Sequence, residues 1–158
     1  MARVALWDMD GTLSDDRHRR HLYVPGTYSE YWNRDRMMAD PVFMQGKTHF
    51  DQLKSEGWLV GILTARSEKH NADVTEDWLE QNGFEPDFVW LKGEADASKS
   101  PPQFKRETLQ RLTRGINTAL YTDVVLYDND PLVVAEVKHW LGDSHVVHCG
   151  WDAEVDPA

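Results

Sequence analysis

Cysteine is nearly absent: Cys149 is the only one in 158 residues. No internal disulfide can form, and no paired Cys/His pattern for structural zinc exists. Long hydrophobic runs are missing as well. Nothing approaches the roughly 20 apolar residues that cross a bilayer, and the N-terminus has no apolar signal stretch. These absences set the expectation of a cytoplasmic protein with no membrane partner. Positive charge is scarce. Seventeen Lys and Arg face 27 Asp and Glu, a formal net charge of −10. Tight binding to duplex DNA rests on many basic contacts to phosphates, so a duplex clamp is excluded. A nucleic-acid end as substrate is not excluded, because local charge at a site counts for more than the total. The phosphate loop Gly-x-x-x-x-Gly-Lys-Ser/Thr of nucleotide-binding kinases does not occur.

What remains is an ordinary globular composition, 41% hydrophobic, at a length that supports one domain with a core. Five short apolar runs read as strands, at 4–7, 58–63, 88–91, 124–127 and 145–149. They are almost continuously apolar, as strands covered on both faces are. Helical patterns lie between them at 41–56, 70–82, 103–113 and 132–141, followed by Gly57, Gly83, Gly115 and Gly142. Strands alternating with helices predict an α/β fold with a five-stranded parallel sheet. Residues 14–40 are charged and aromatic and predict a small irregular insert. Residues 94–102 predict a polar loop. The expected division is one domain over 1–151 and a loose acidic tail over 152–158. Trp7, Trp58, Trp78 and Trp140 are expected in the core.

The densest chemistry follows the first strand, in Trp7-Asp8-Met9-Asp10-Gly11-Thr12-Leu13. If the strand continues to its tip, Asp8 and Asp10 face the same side, and Gly11 permits a sharp turn. Two crowded carboxylates do not both ionise freely, so one is expected to hold a proton. Such a pair suits a nucleophile or metal ligand beside a general acid. Asp-x-Asp-Gly is also a good turn sequence. A calcium loop fails, because its glycine comes two residues early and Arg19 replaces the closing glutamate.

Later strand tips carry matching groups. The second ends in Thr64-Ala65-Arg66-Ser67, where a hydroxyl and a guanidinium can bind phosphate, and where Ser67 is expected to cap the next helix. Lys105 falls near the start of the third main helix, against the helix dipole unless an anion is close. The fourth strand ends in Asp128-Asn129-Asp130-Pro131. Asp8 and Asp128 together would satisfy a hard cation, while Asp130 before Pro131 reads as a helix cap. Arg17, His18, Arg19, Arg20 and His21 form a basic cluster that could touch substrate, with Arg17, His18, Arg20 and His21 the substrate-binding candidates, and Trp32 could stack on a base.

Asp8-x-Asp10-Gly11-Thr12-Leu13, Thr64, Lys105 and Asp128, in this order, resemble the four motifs of the haloacid dehalogenase superfamily of phosphohydrolases. Within it the chain most resembles the phosphatase domain of bacteriophage polynucleotide kinase. The residues behind this are His18-Arg19 and His21, Thr64-Ala65-Arg66, Phe104-Lys105-Arg106-Glu107 and Tyr127-Asp128-Asn129-Asp130. The resemblance implies a three-layer Rossmann-like fold without a large cap domain. It implies catalysis by Asp8 as nucleophile and Asp10 as acid and base, with Thr64 and Lys105 stabilising charge. It implies Mg²⁺ held by Asp8, Asp128 and the Asp10 main-chain carbonyl. Relatives often carry Asp-Asp at the fourth motif, so whether Asn129 or Asp130 serves there stays open. The implied substrate is a phosphorylated nucleic-acid end, with a nucleoside monophosphate as alternative and no protein partner expected. A receiver-type phosphoacceptor shares the residue types but not their order.

Overall fold

The structure, a computed structural model, describes residues 2–117 and 121–153. Strand β1 (Ala2–Trp7) leads into the two aspartates and then a segment of short pieces. These are a 3-10 turn at Arg20–Leu22 and helices α1 (Tyr28–Tyr31) and α2 (Arg34–Met38). Helix α3 (Met44–Ser55), strand β2 (Leu59–Ser67), helix α4 (Glu68–Gln81) and strand β3 (Val89–Lys92) follow. The chain continues through helix α5 (Pro101–Asn117), strand β4 (Tyr121–Asp128), helix α6 (Pro131–Leu141) and strand β5 (Val146–His148). The five strands form one sheet in the order β3-β2-β1-β4-β5, and every pair is parallel.

Alternation along the strands explains the three layers. Ala5 and Trp7 of β1, Val60 and Ile62 of β2 and Tyr127 of β4 enter one core with Phe50, Leu53, Trp78 and Leu79 of α3 and α4. Val4, Leu6, Leu63, Val124 and Leu126 enter the other with Phe104, Leu109, Val133 and Val137 of α5 and α6. Both sheet faces are covered, which is why the strands read as continuous apolar runs. Gly61 is required at one close approach: a Cβ there would lie 2.1 Å from the Phe88 ring.

From β1 the chain builds outward through β2 and β3, then crosses to β4 and β5 on the other side. In such sheets a crevice opens at the carboxyl ends of the strands where the order reverses. Here that point lies between β1 and β4.

Several expectations are corrected. Helix α5 does not stop before Gly115 but runs to Asn117, since one interior glycine costs a helix only about 1 kcal/mol. Strand β2 extends past Leu63 to Ser67, where a register shift lets Ser67 pair with Lys92. Trp140 is not core: it is 55% exposed on the last turn of α6, where the Arg106 guanidinium lies over its ring. Trp58 is only half-buried, whereas Trp7 and Trp78 are buried. Asp152 is buried, so the expected loose tail does not begin there. Residues 154–158 of that tail lie outside the described residues.

Candidate active site

The register of β1 on β4 pairs Trp7 with Tyr127, so the next residues, Asp8 just past β1 and Asp128 at the end of β4, come side by side. Both are buried. Lys105 reaches up from the first turns of α5 and bridges them, with Nζ 2.6 Å from Asp8 Oδ1 and 2.6 Å from Asp128 Oδ2. The cation that opposed its helix dipole thus has its anions. Burial pushes Asp8 above the usual carboxylate range, Asp128 adds to the rise, and Lys105 offsets part of it. Burial likewise raises Asp128 against the pull of Lys105. Burial works to lower Lys105, but Asp128 and Asp8 outweigh it and hold the ammonium charged. Thr12 Oγ1 lies 3.0 Å from Asp8 Oδ2 and 3.1 Å from Asn129 Oδ1, and accepts the Asn129 main-chain N–H at 3.0 Å. Gly11 turns the chain with φ +85°, which brings Thr12 back under Asp8.

Asp10 has a different environment. Strand β1 ends at Trp7, so Asp8 and Asp10 line one cavity from a turn rather than from one strand face. Arg66 grips Asp10 with two bonds, Nε to Oδ2 at 3.0 Å and Nη2 to Oδ1 at 2.6 Å. Arg19 adds a third, Nη2 to Oδ1 at 2.6 Å. Burial works to raise Asp10, but Arg66 and Arg19 together outweigh it and hold it well below the usual range. The two aspartates are separated electrostatically: burial and Asp128 raise Asp8, whereas Arg66 and Arg19 hold Asp10 low. Arg19 is itself fully buried, bonded to Asp40 at 2.9 and 2.7 Å, and stacked 4.3 Å over the Tyr31 ring.

The other candidates divide clearly. A cavity of about 910 Å³ opens above the strand ends, and Asp8, Asp10, Thr64, Arg66, Lys105 and Asp128 all line it. Asn129 and Arg20 line it too. Thr64 is buried and its Oγ1 accepts the Arg66 main-chain N–H at 3.2 Å. Arg66 is turned inward onto Asp10 and Thr75, not outward as a free phosphate clamp. Arg17, His18 and His21 are exposed and do not line the cavity. Arg17 pairs with Asp15, and His18 Nε2 lies 2.6 Å from Asp40. Ser67 caps α4 through the His70 N–H, and Asp130 caps α6 through the Leu132 N–H at 2.9 Å. Of the two residues after Asp128, it is Asn129 that bonds Thr12, whose hydroxyl also reaches Asp8.

Sequence reading missed Asp152 as a site residue and named Arg19 only as one member of a basic cluster. Arg19 sits among four other basic residues, and nothing local marks it as the buried one. Asp152 had a signal. Its neighbour Trp151 is a large apolar side chain, unsuited to a loose tail, and its Nε1 donates to the Thr12 carbonyl at 2.8 Å. Asp152 accepts from Asn129 Nδ2 at 2.6 Å and from Arg20 Nη2.

The donor set suits a hard cation. Asp8, Asp128 and the Asn129 amide offer only oxygen toward the floor, and Mg²⁺ usually takes one or two protein carboxylates beside water and substrate oxygens. Two carboxylates and one ammonium leave the floor with a net charge of about −1, and burial makes that charge costly. Among the described residues no three His, Cys, Asp or Glu side chains gather round one point, so a zinc-like cage is not built. Nor is any described helix long and apolar enough to cross a membrane.

No protein-family model and no curated protein matches the chain. Solved structures do. A chain of the Pnkp1/Rnl/Hen1 RNA repair complex superposes on 94% of this chain with TM-score 0.72 at 18% identity. A second structure of the Pnkp1/Rnl/Hen1 complex gives TM-score 0.73 at 19% identity, again over 94%. This chain spans 42% and 46% of those two, less than half of each. A haloacid dehalogenase-like family hydrolase from Streptococcus pneumoniae gives TM-score 0.57 at 13% identity, over 87% of this chain and 80% of its own. At these identities what is shared is the architecture, and the chain has the fold of the haloacid dehalogenase-like proteins.

Proposed function

We propose that this protein is a Mg²⁺-dependent phosphomonoester hydrolase that works through a phosphorylated Asp8 and removes the 3′-phosphate from nucleic-acid ends. One observation carries the reading: the buried Asp8–Lys105–Asp128 cluster at the floor of a large cavity, where the strand order reverses.

Asp8 attacks phosphorus and the bond from phosphorus to the sugar oxygen breaks. Asp10 gives its proton to that leaving oxygen. Water then attacks the phosphorus of the aspartyl-phosphate, Asp10 takes the proton, and inorganic phosphate leaves with Asp8 restored. Held by two arginines, Asp10 rests as a carboxylate, which suits the second half-reaction. A phosphate that draws Arg66 away from Asp10 favours the proton needed in the first. Thr64 and Lys105 stabilise charge on the transferring group, and losing one such contact typically costs about 10²–10³ in rate. Asp8, Asp128, Asn129 and the Asp10 main-chain carbonyl would hold Mg²⁺, whose charge offsets the repulsion between Asp8 and a phosphate dianion.

The substrate follows from the walls. The cavity is far larger than a lone phosphate needs. Tyr23, 56% exposed, and the half-buried Trp32 line it with ring centroids 6.3 Å apart, and aromatic side chains of this kind can stack on a base. Similarity to a chain of an RNA repair complex supports a nucleic-acid context. A second reading, a nucleoside monophosphatase, is favoured by the net charge and by the engagement of Arg20, Arg66 and Lys105 with carboxylates.

The test is phosphate release with Mg²⁺ from 3′-phosphorylated DNA and RNA oligonucleotides and from nucleoside 3′- and 5′-monophosphates. Higher kcat/KM on the oligonucleotides is expected. Higher kcat/KM on the mononucleotides would replace the polymer reading with the second one. A phosphorylated Asp8 that persists for many minutes would instead revive a receiver-type signalling role.

A further inference from the structure

We infer that Asp152 is a positioning residue of the cation site, which fixes the Asn129 side chain with its amide oxygen toward the Thr12 hydroxyl that also reaches Asp8. The inference rests on the Mg²⁺ reading above.

An asparagine amide has a donor end and an acceptor end of nearly the same shape, and only its partners decide which way it points. A carboxylate can only accept. Asp152 therefore selects Nδ2 of Asn129, at 2.6 Å, and the amide oxygen is left facing Thr12. Thr12 has one hydroxyl proton and two acceptors within reach, Asp8 Oδ2 at 3.0 Å and Asn129 Oδ1 at 3.1 Å. The charged acceptor takes that proton, since hydrogen bonds to ions are the stronger kind. Asn129 lines the cavity, and its Oδ1 is then left without a donor of its own, as a ligand to a hard cation should be.

The arrangement is built rather than incidental. Asp152 is itself anchored by Arg20, which also binds Asp16 at 2.8 Å, and Asp16 accepts the Tyr31 hydroxyl at 2.7 Å. Gly11 makes room for it. A Cβ at that position would lie 2.2 Å from Asn129 Nδ2 and 2.8 Å from Arg20 Nη2. Residues that hold a ligand by its far end commonly alter metal affinity about 10–100-fold when changed.

The experiment measures Mn²⁺ binding to the full chain without substrate, by titration calorimetry, alongside thermal melting. Asp152→Asn lets the two amides pair either way round, so a Kd raised about 10-fold or more is expected. The double variant Asn129→Asp with Asp152→Asn reverses the bond. Its new amide donates to the new carboxylate and accepts from Arg20, and most of the lost affinity should return. Wild-type affinity in Asp152→Asn overturns the inference. So does weakened binding that the double variant fails to recover while Tm falls in both, because Asp152 would then only tie Arg20 to the fold. Absence of Mn²⁺ binding by the wild type overturns the cation reading itself, and the inference with it.

Discussion

Lys105 is a buried ammonium whose two partners are buried carboxylates. Lys105→Met would leave Asp8 and Asp128 facing each other without a counter-charge. A loss of about 3–5 kcal/mol is expected near neutral pH, the usual cost of orphaning a buried charge. Both carboxylates already sit above their usual range, so acid protonates them early and the loss should shrink. Melting curves from about pH 8 down to about pH 5 check this, and a loss that grows with acid would count against it. Asp10 behaves oppositely. Its folded-state pKa is depressed by Arg66 and Arg19, so its contribution to stability is complete above the unfolded value of about 3.9 and fades as pH falls toward the folded one. Asp10→Asn should therefore melt below the wild type at neutral pH, with the gap closing below about pH 4.

The elements explain why so much of this site was legible. Each strand is an apolar run buried on both faces, and each run stops where the chain enters the crevice. A polar residue just past such a run is therefore exposed to the site by construction, which is how Asp8, Thr64 and Asp128 stand out, while Lys105 on α5 stands out as a cation near a helix N-terminus. Arg19 and Asp152 lie on irregular segments, where no period reports which side chain turns inward. Arg66 was legible as a site residue, but its partner was not, because a guanidinium suits carboxylate and phosphate equally. The strands also fix one steric constraint that the apolar pattern hides. Gly61→Ala would place a Cβ within 2.1 Å of the Phe88 ring, and a destabilisation of about 1–3 kcal/mol is expected from overpacking. Thermal or urea melts measure it. Replacing Phe88 with leucine in the same chain should return part of the loss.

At the scale of the whole molecule, the surface is acidic and the cavity cations are mostly neutralised from within. Arg20, Arg66 and Lys105 each pair with carboxylates, while Lys92, on the cavity wall, donates to the Lys99 carbonyl and has no acidic partner among the described residues. Few phosphates of a bound strand can then displace counterions. A log–log plot of KM against salt for a single-stranded oligonucleotide should have a slope of about 1 or less, since each phosphate contact contributes about 0.7. A slope of several would mean a basic track that this cavity does not have. The measurement that bears most directly on the central claim is phosphate release by the wild type and Asp8→Asn, each with Mg²⁺ and with chelator. Release that requires Mg²⁺ and falls at least about 10³-fold in Asp8→Asn is the predicted result, as expected for loss of a nucleophile. Undiminished release from an Asp8→Asn protein that melts like the wild type would contradict it.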